Sequence, residues 1–148
     1  MTNKVLWILL TFIAGAMLPI QGGLNARMAK GLENPVYSSL ISFVVGTIVL
    51  VAYVVITRQP VVWSGIKNVS GFVWLAGALG AFYVTVIILA FPRLGPALTF
   101  GLVVGGQMFI ALVLDHFNIL VAHQHSINIW RVIGALLILT GVILIRRY

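Results

Sequence analysis

Five long apolar runs dominate this chain, and each is close to the length a helix needs to cross a lipid bilayer. They occupy residues 5–26, 36–57, 71–91, 95–114 and 129–145. A helix needs about 20 such residues to cross a hydrocarbon core of about 30 Å. Polar punctuation separates them. Gly31, Asn34 and Pro35 divide the first two, Arg58, Gln59 and Pro60 end the second, and Pro92, Arg93, Gly95 and Pro96 predict a very short turn between the third and fourth. Membrane-barrel strands alternate apolar and polar residues over about 10 positions, whereas these runs are apolar all round. The prediction is an all-α membrane protein with five transmembrane helices in a single domain, residues 1–148.

Composition excludes the soluble alternative. Hydrophobic residues make up 61% of the 148 and charged ones 7%, against about 45–50% and about 25% in an average soluble domain. A soluble fold of this size has too much surface to hide that excess. The start, Lys4 followed by an apolar stretch and Ala14-Gly15-Ala16, has the outline of a signal peptide. The apolar run continues past the small residues, so it is read as a retained first span. Trp7, Trp74, Trp130 and Tyr148 fall near span ends, as an interfacial aromatic belt requires, while Trp63 falls in a loop.

The formal charge of +7 comes from scattered single Lys and Arg residues. They suit phospholipid head groups, and with no basic patch to neutralise a row of phosphates, nucleic acid is not an expected partner. The chain has no cysteine, which removes disulfides and thiolate chemistry. With five spans, Lys4, Arg58, Lys67 and Arg131 fall on the side of the N-terminus, and Arg27, Lys30, Arg93, Arg146 and Arg147 on the other. Basic asymmetry is what orients a membrane protein. Four against five gives almost none, and this predicts insertion in both orientations and an antiparallel, inverted dimer.

Candidate functional residues follow from what lipid penalises. Pro19, Gly22 and Gly23 fall inside the first span and predict a helix break, with a simple kink as the alternative. Interrupted helices at membrane depth expose backbone groups that bind solutes or ions in transporters. Gln21 and Asn25, four apart, put two amides on one face there. Tyr83 and Gln107 are costly to leave against lipid, and with Trp74, Gln21 and Asn25 they are the candidates for lining a solute pathway. Ser38, Ser39, Ser42, Tyr53, Thr85 and Thr99 are also polar, though hydroxyls are cheaply satisfied by their own helix. Small residues four apart, Gly77 with Ala81, Ala76 with Gly80 and Gly101 with Gly105, predict close helix packing.

Asp115 is the one acid near a span, and such a group is a candidate for ion coupling. Its place at the mouth of the fourth span also fits a cap or an ion-pair partner. His116, His123 and His125 follow, but with no cysteine and one nearby Asp no metal is expected. No nucleophile–base pair, phosphate loop or metalloprotease motif is present, so neither enzyme activity nor a cofactor is expected.

Three stretches, PIQGGLNARMAKGLENPVYSSLISFVVGT, GALGAFYVTVIILAFPRLGPALTFGLVVGGQM and LDHFN, together resemble the YdcZ family, five-span proteins of the drug/metabolite transporter superfamily. The likeness covers nearly the whole chain. It implies a multi-pass protein of the bacterial inner membrane and a half-unit, because larger members carry ten spans as two repeats of opposite topology. The partner would be a second antiparallel copy or a paired homologous half. The small multidrug resistance branch uses an acid in its first helix for proton-coupled export. This chain has Gln21 and Asn25 there instead, so that mechanism does not transfer. The expectation is a small-molecule transporter of drug/metabolite type working by alternating access, with export as one direction; the alternative is a non-transporting accessory or structural subunit that pairs with a partner half.

Overall fold

A computed structural model describes residues 2–121 and 125–148, and His123 lies outside them. All regular structure among the described residues is helical: α1 (Thr2–Leu32), α2 (Pro35–Thr57), α3 (Leu75–Leu94), α4 (Pro96–Phe117) and α5 (Ile129–Arg147), with 3-10 turns at Trp63–Asn68 and Gly71–Trp74 between α2 and α3. All five helices are long and apolar enough to cross a membrane. The shortest candidate span has 19 residues and the longest, Lys4–Leu32, has 29. At about 1.5 Å per residue the first is close to the hydrocarbon thickness, while α1 overhangs it by two turns or more.

Very little side chain is buried. Among the described residues the buried apolar ones are Ala29, Ile87, Ile88 and Val142, and the apolar helix faces are otherwise open. In water such surface would drive aggregation. Lipid covers it without penalty, because helices leave no backbone group unpaired.

Two compact units divide the chain, Met1–Pro92 and Arg93–Tyr148. The first is an antiparallel α1–α2 hairpin with α3 attached. Its turn is short because Glu33 takes a left-handed conformation, φ 52°, and Asn34 caps α2, its Oδ1 accepting from Val36 N at 3.0 Å and Tyr37 N at 3.1 Å. Pro35 occupies the first position of α2, where its missing N–H costs nothing. Thr85 on α3 meets Ser39 on α2 at 2.9 Å. An added Cβ on Gly23 of α1 would lie 3.2 Å from the Phe91 ring of α3, and one on Gly80 of α3 would lie 3.5 Å from Phe43 of α2.

The second unit is the α4–α5 hairpin. Its seam is close: a Cβ on Gly101 would lie 3.1 Å from Val142 Cγ2, and one on Gly105 would lie 3.2 Å from Leu139 Cδ2. Asn118 ends α4 in a left-handed conformation, and Asn128 caps α5 by accepting from Arg131 N at 3.0 Å.

Two expectations are corrected. Pro19, Gly22 and Gly23 do not break the first helix, since α1 runs unbroken through them. Proline removes one ladder bond, and residue 15, whose carbonyl its ring crowds, is a glycine with no side chain to resist a tilt. Opening the helix would free further groups with no water to bond them. The two glycines serve close approach instead: Gly22 is buried and Gly23 packs against the Phe91 ring. Likewise α3 continues through Pro92 and Arg93 to Leu94, so the turn to α4 narrows to Gly95, whose φ of 74° favours glycine.

Candidate functional site

In the first unit a groove of about 260 Å³ opens between α1 and α2, lined by Gln21, Ser42, Phe43, Gly46, Thr47 and Leu50. The antiparallel hairpin creates it. From the Asn34 turn, each step back along α1 meets a step forward along α2, so Asn25 faces Ser38 and, one turn deeper, Gln21 faces Ser42. Gly46 carries no side chain, and nothing lies within 4 Å of where its Cβ would be. The two helices therefore part beyond Ser42. Ser42 is seven residues into α2, roughly 10 Å below its start at about 1.5 Å per residue, which is hydrocarbon depth.

The seam holds three kinds of polar group. Ser38, fully buried, donates from Oγ to the Asn25 carbonyl at 2.8 Å. Thr47 donates to Phe43 O at 2.8 Å, which leaves its oxygen as an acceptor toward the groove. The Gln21 amide and the Ser42 hydroxyl have no hydrogen-bond partner among the described residues, and each keeps donor and acceptor capacity free. Among the described residues no ionisable side chain lines the groove. A volume of this size holds roughly nine waters at about 30 Å³ each, or one small organic molecule. The site can therefore hydrogen-bond an uncharged solute but offers no counter-charge to an ion.

The other sequence candidates are placed as follows. Asn25 is 5% exposed, beneath the groove and not in its lining. Tyr83 on α3 has its hydroxyl oxygen buried with no partner among the described residues. Thr85, two residues on, shares a 2.9 Å hydrogen bond with the Ser39 hydroxyl, and each of the two also has a carbonyl of its own helix within reach, Ala81 O for Thr85 and Pro35 O for Ser39. Trp74 stands exposed in the turn before α3, and Gln107 is exposed on α4. Gly77 has nothing within 4 Å of an added Cβ, unlike Gly80, Gly101 and Gly105.

Asp115 ends up in an ion pair. Its Oδ2 accepts from Arg131 Nη2 across the α4–α5 junction, while Arg131 Nη1 donates to the His125 carbonyl at 2.6 Å. The backbone N–H of His125 reaches the Asp115 carbonyl at 3.3 Å, and His116 Nδ1 accepts from Ile127 N at 3.3 Å. These bonds clip the connection onto the helix ends. Among the described residues no three His, Cys, Asp or Glu side chains gather as a metal site.

Ser42 and Thr47 are the lining residues that sequence reasoning passed over. Hydroxyls in spans are usually satisfied by their own helix, and Thr11, Thr57, Thr99 and Thr140 behave that way. The signal that finds Ser42 is the short Glu33–Asn34–Pro35 turn, which sets the register against Gln21.

Comparison with known proteins agrees with a membrane protein. A family described as "Putative inner membrane exporter, YdcZ" matches residues 6–144. The chain is 26% identical over 151 aligned positions to the inner membrane protein YdcZ of Escherichia coli strain K12, covering 98% of this chain and 97% of that protein. No solved structure matches it. The match runs through all five spans, and this chain is a multi-pass inner-membrane protein that belongs to the YdcZ family.

Proposed function

We propose that this chain is one half of an alternating-access exporter for small, uncharged, hydrogen-bonding solutes. The observation that carries the reading is the open α1–α2 groove, where Gln21 and Ser42 hold free hydrogen-bonding groups at membrane depth. An unpaired polar group kept from water costs about 1–3 kcal/mol, and a solute's own polar groups offset that cost. The family's description as an exporter supports export over uptake. The working unit is an antiparallel pair, two copies or a copy with a homologous half, giving ten helices. The near-balance of basic residues across the membrane supports it. Rocking of the two halves about a shared cavity then exposes the groove to each side in turn.

The competing reading is an accessory subunit that moves nothing. It needs a sealed polar interior. The open groove and the unpartnered Tyr83 hydroxyl support the exporter instead.

Efflux from proteoliposomes tests the proposal. Vesicles loaded with a panel of labelled neutral, cationic and anionic metabolites should lose one or more neutral members faster with the protein than without it. Loss of none, from vesicles in which the protein is folded and paired, contradicts transport. Loss of organic cations alone contradicts the solute class.

A further inference from the structure

We infer that residues 61–74 form an in-plane anchor that buries its apolar side chains in the head-group layer of the bilayer. The stretch joins the end of α2, closed by Arg58 in a left-handed cap, to the start of α3 at Leu75. Both helices span, so both ends of the connection are pinned at one membrane surface. A connection bathed in water would be built from polar turn residues. This one instead presents Val62 at 78% exposure, Trp63 at 70%, Phe72 at 60% and Trp74 at 66%, with Ile66 and Val73 also exposed. No other described residue of the unit buries them.

The backbone suits the same place. Two 3-10 turns pair part of its backbone, with Gly65 N bonded to Val62 O at 2.9 Å, Val69 N to Ile66 O at 3.3 Å and Val73 N to Ser70 O at 3.1 Å. A segment so paired can leave bulk water without stranding those groups. Its single ionisable side chain is Lys67, and Arg58 lies just before it. With no acid between residues 59 and 74, the charge complements anionic phospholipids. Tryptophan favours the interface because its ring is apolar and its indole N–H remains hydrogen-bonded to the wet head-group layer. Trp63 and Trp74 stand at the two ends of the segment and hold α2 and α3 at a fixed depth.

Tryptophan fluorescence tests the anchor. A variant keeping Trp63 alone (Trp7, Trp74 and Trp130 each changed to Phe) is reconstituted into phosphatidylcholine–phosphatidylglycerol vesicles. Some vesicles carry lipids brominated near the glycerol end of the acyl chain, others lipids brominated near the methyl end. The anchor predicts blue-shifted emission, stronger quenching by the shallow bromines than by the deep ones, and weak quenching by aqueous iodide. Red emission with full iodide quenching overturns it in favour of a solvated loop. Blue emission insensitive to bromine and iodide alike overturns it in favour of a protein interface. Should the triple substitution unfold the chain, Val62→Cys carrying a polarity-sensitive dye in the otherwise native, cysteine-free chain gives the same three outcomes.

Discussion

Ser38 and Asn25, thirteen positions apart, are joined across the first hairpin by a 2.8 Å hydrogen bond from the Ser38 hydroxyl to the Asn25 carbonyl. This bond lies within the register, set by the Asn34 turn, that brings Gln21 opposite Ser42. Ser38→Ala removes one neutral hydrogen bond while the carbonyl keeps its helical one, and should lower stability by about 1 kcal/mol. Ser38→Val adds bulk at a position with no exposure, and overpacking of that kind costs about 1–3 kcal/mol. Equilibrium unfolding in mixed micelles should rank native chain, Ser38→Ala and Ser38→Val in that order.

Gly101 and Gly105 should differ in their tolerance of a methyl group. At Gly101 the neighbour is Val142, a β-branched side chain stiff about its first torsion. At Gly105 it is the tip of Leu139, which can rotate away. Gly101→Ala should therefore cost about 1–3 kcal/mol, and Gly105→Ala less. Pairing Gly101→Ala with Val142→Ala should recover much of the loss, as a double-mutant unfolding cycle would show. Additive losses would mean that the two do not share the contact.

Asp115 should act through Arg131 and not as an ion carrier. The pair is partly exposed, 25% for the Asp115 side chain and 29% for Arg131, so its coupling should be about 0.5–1 kcal/mol. Asp115→Asn and Arg131→Gln, alone and together, give that coupling by thermal unfolding. Solute flux, normalised to folded protein, should survive Asp115→Asn. If flux lost its proton dependence while the fold and the pair of chains stayed intact, Asp115 would belong to the coupling machinery.

Topology offers a separate check on the antiparallel pair. The native chain has no cysteine, so a cysteine placed after Tyr148 is a clean reporter. Labelling in intact cells and in inverted vesicles should find it on both sides of the membrane. Several added lysines at the C-terminus should trap one orientation and lower transport until an oppositely oriented copy is supplied. Labelling of the native chain from one side alone would point to a heterologous partner half.

How much of this was readable beforehand depends on which force decides each feature. Span number follows from apolar length, which is why all five spans were legible, although α1 overshoots its expected end at Ala26 and reaches Leu32. Pro19 misled because helix propensity measured in water overstates how readily a helix opens where freed groups find no water. Gln21 stood out as an amide in lipid. Ser42 did not, since its role comes from the register across the hairpin and not from its own span. Trp74 and Gln107 were chosen for residue type alone, and type does not say which face of a helix a side chain occupies.

The central claim, that the α1–α2 groove receives the solute, is tested most directly by solute-dependent thermal stabilisation of the purified protein across a metabolite panel. The native chain is compared with a Gln21→Leu, Ser42→Ala double variant. Asn25 is left intact, because its burial makes any change there a change to the hairpin itself. At least one neutral, hydrogen-bonding solute should raise the melting temperature of the native chain. The double variant should keep its unliganded melting temperature and its pairing but lose most of that shift, since two polar contacts worth about 1 kcal/mol each weaken binding about tenfold or more. An undiminished shift in the double variant would contradict the assignment of the groove.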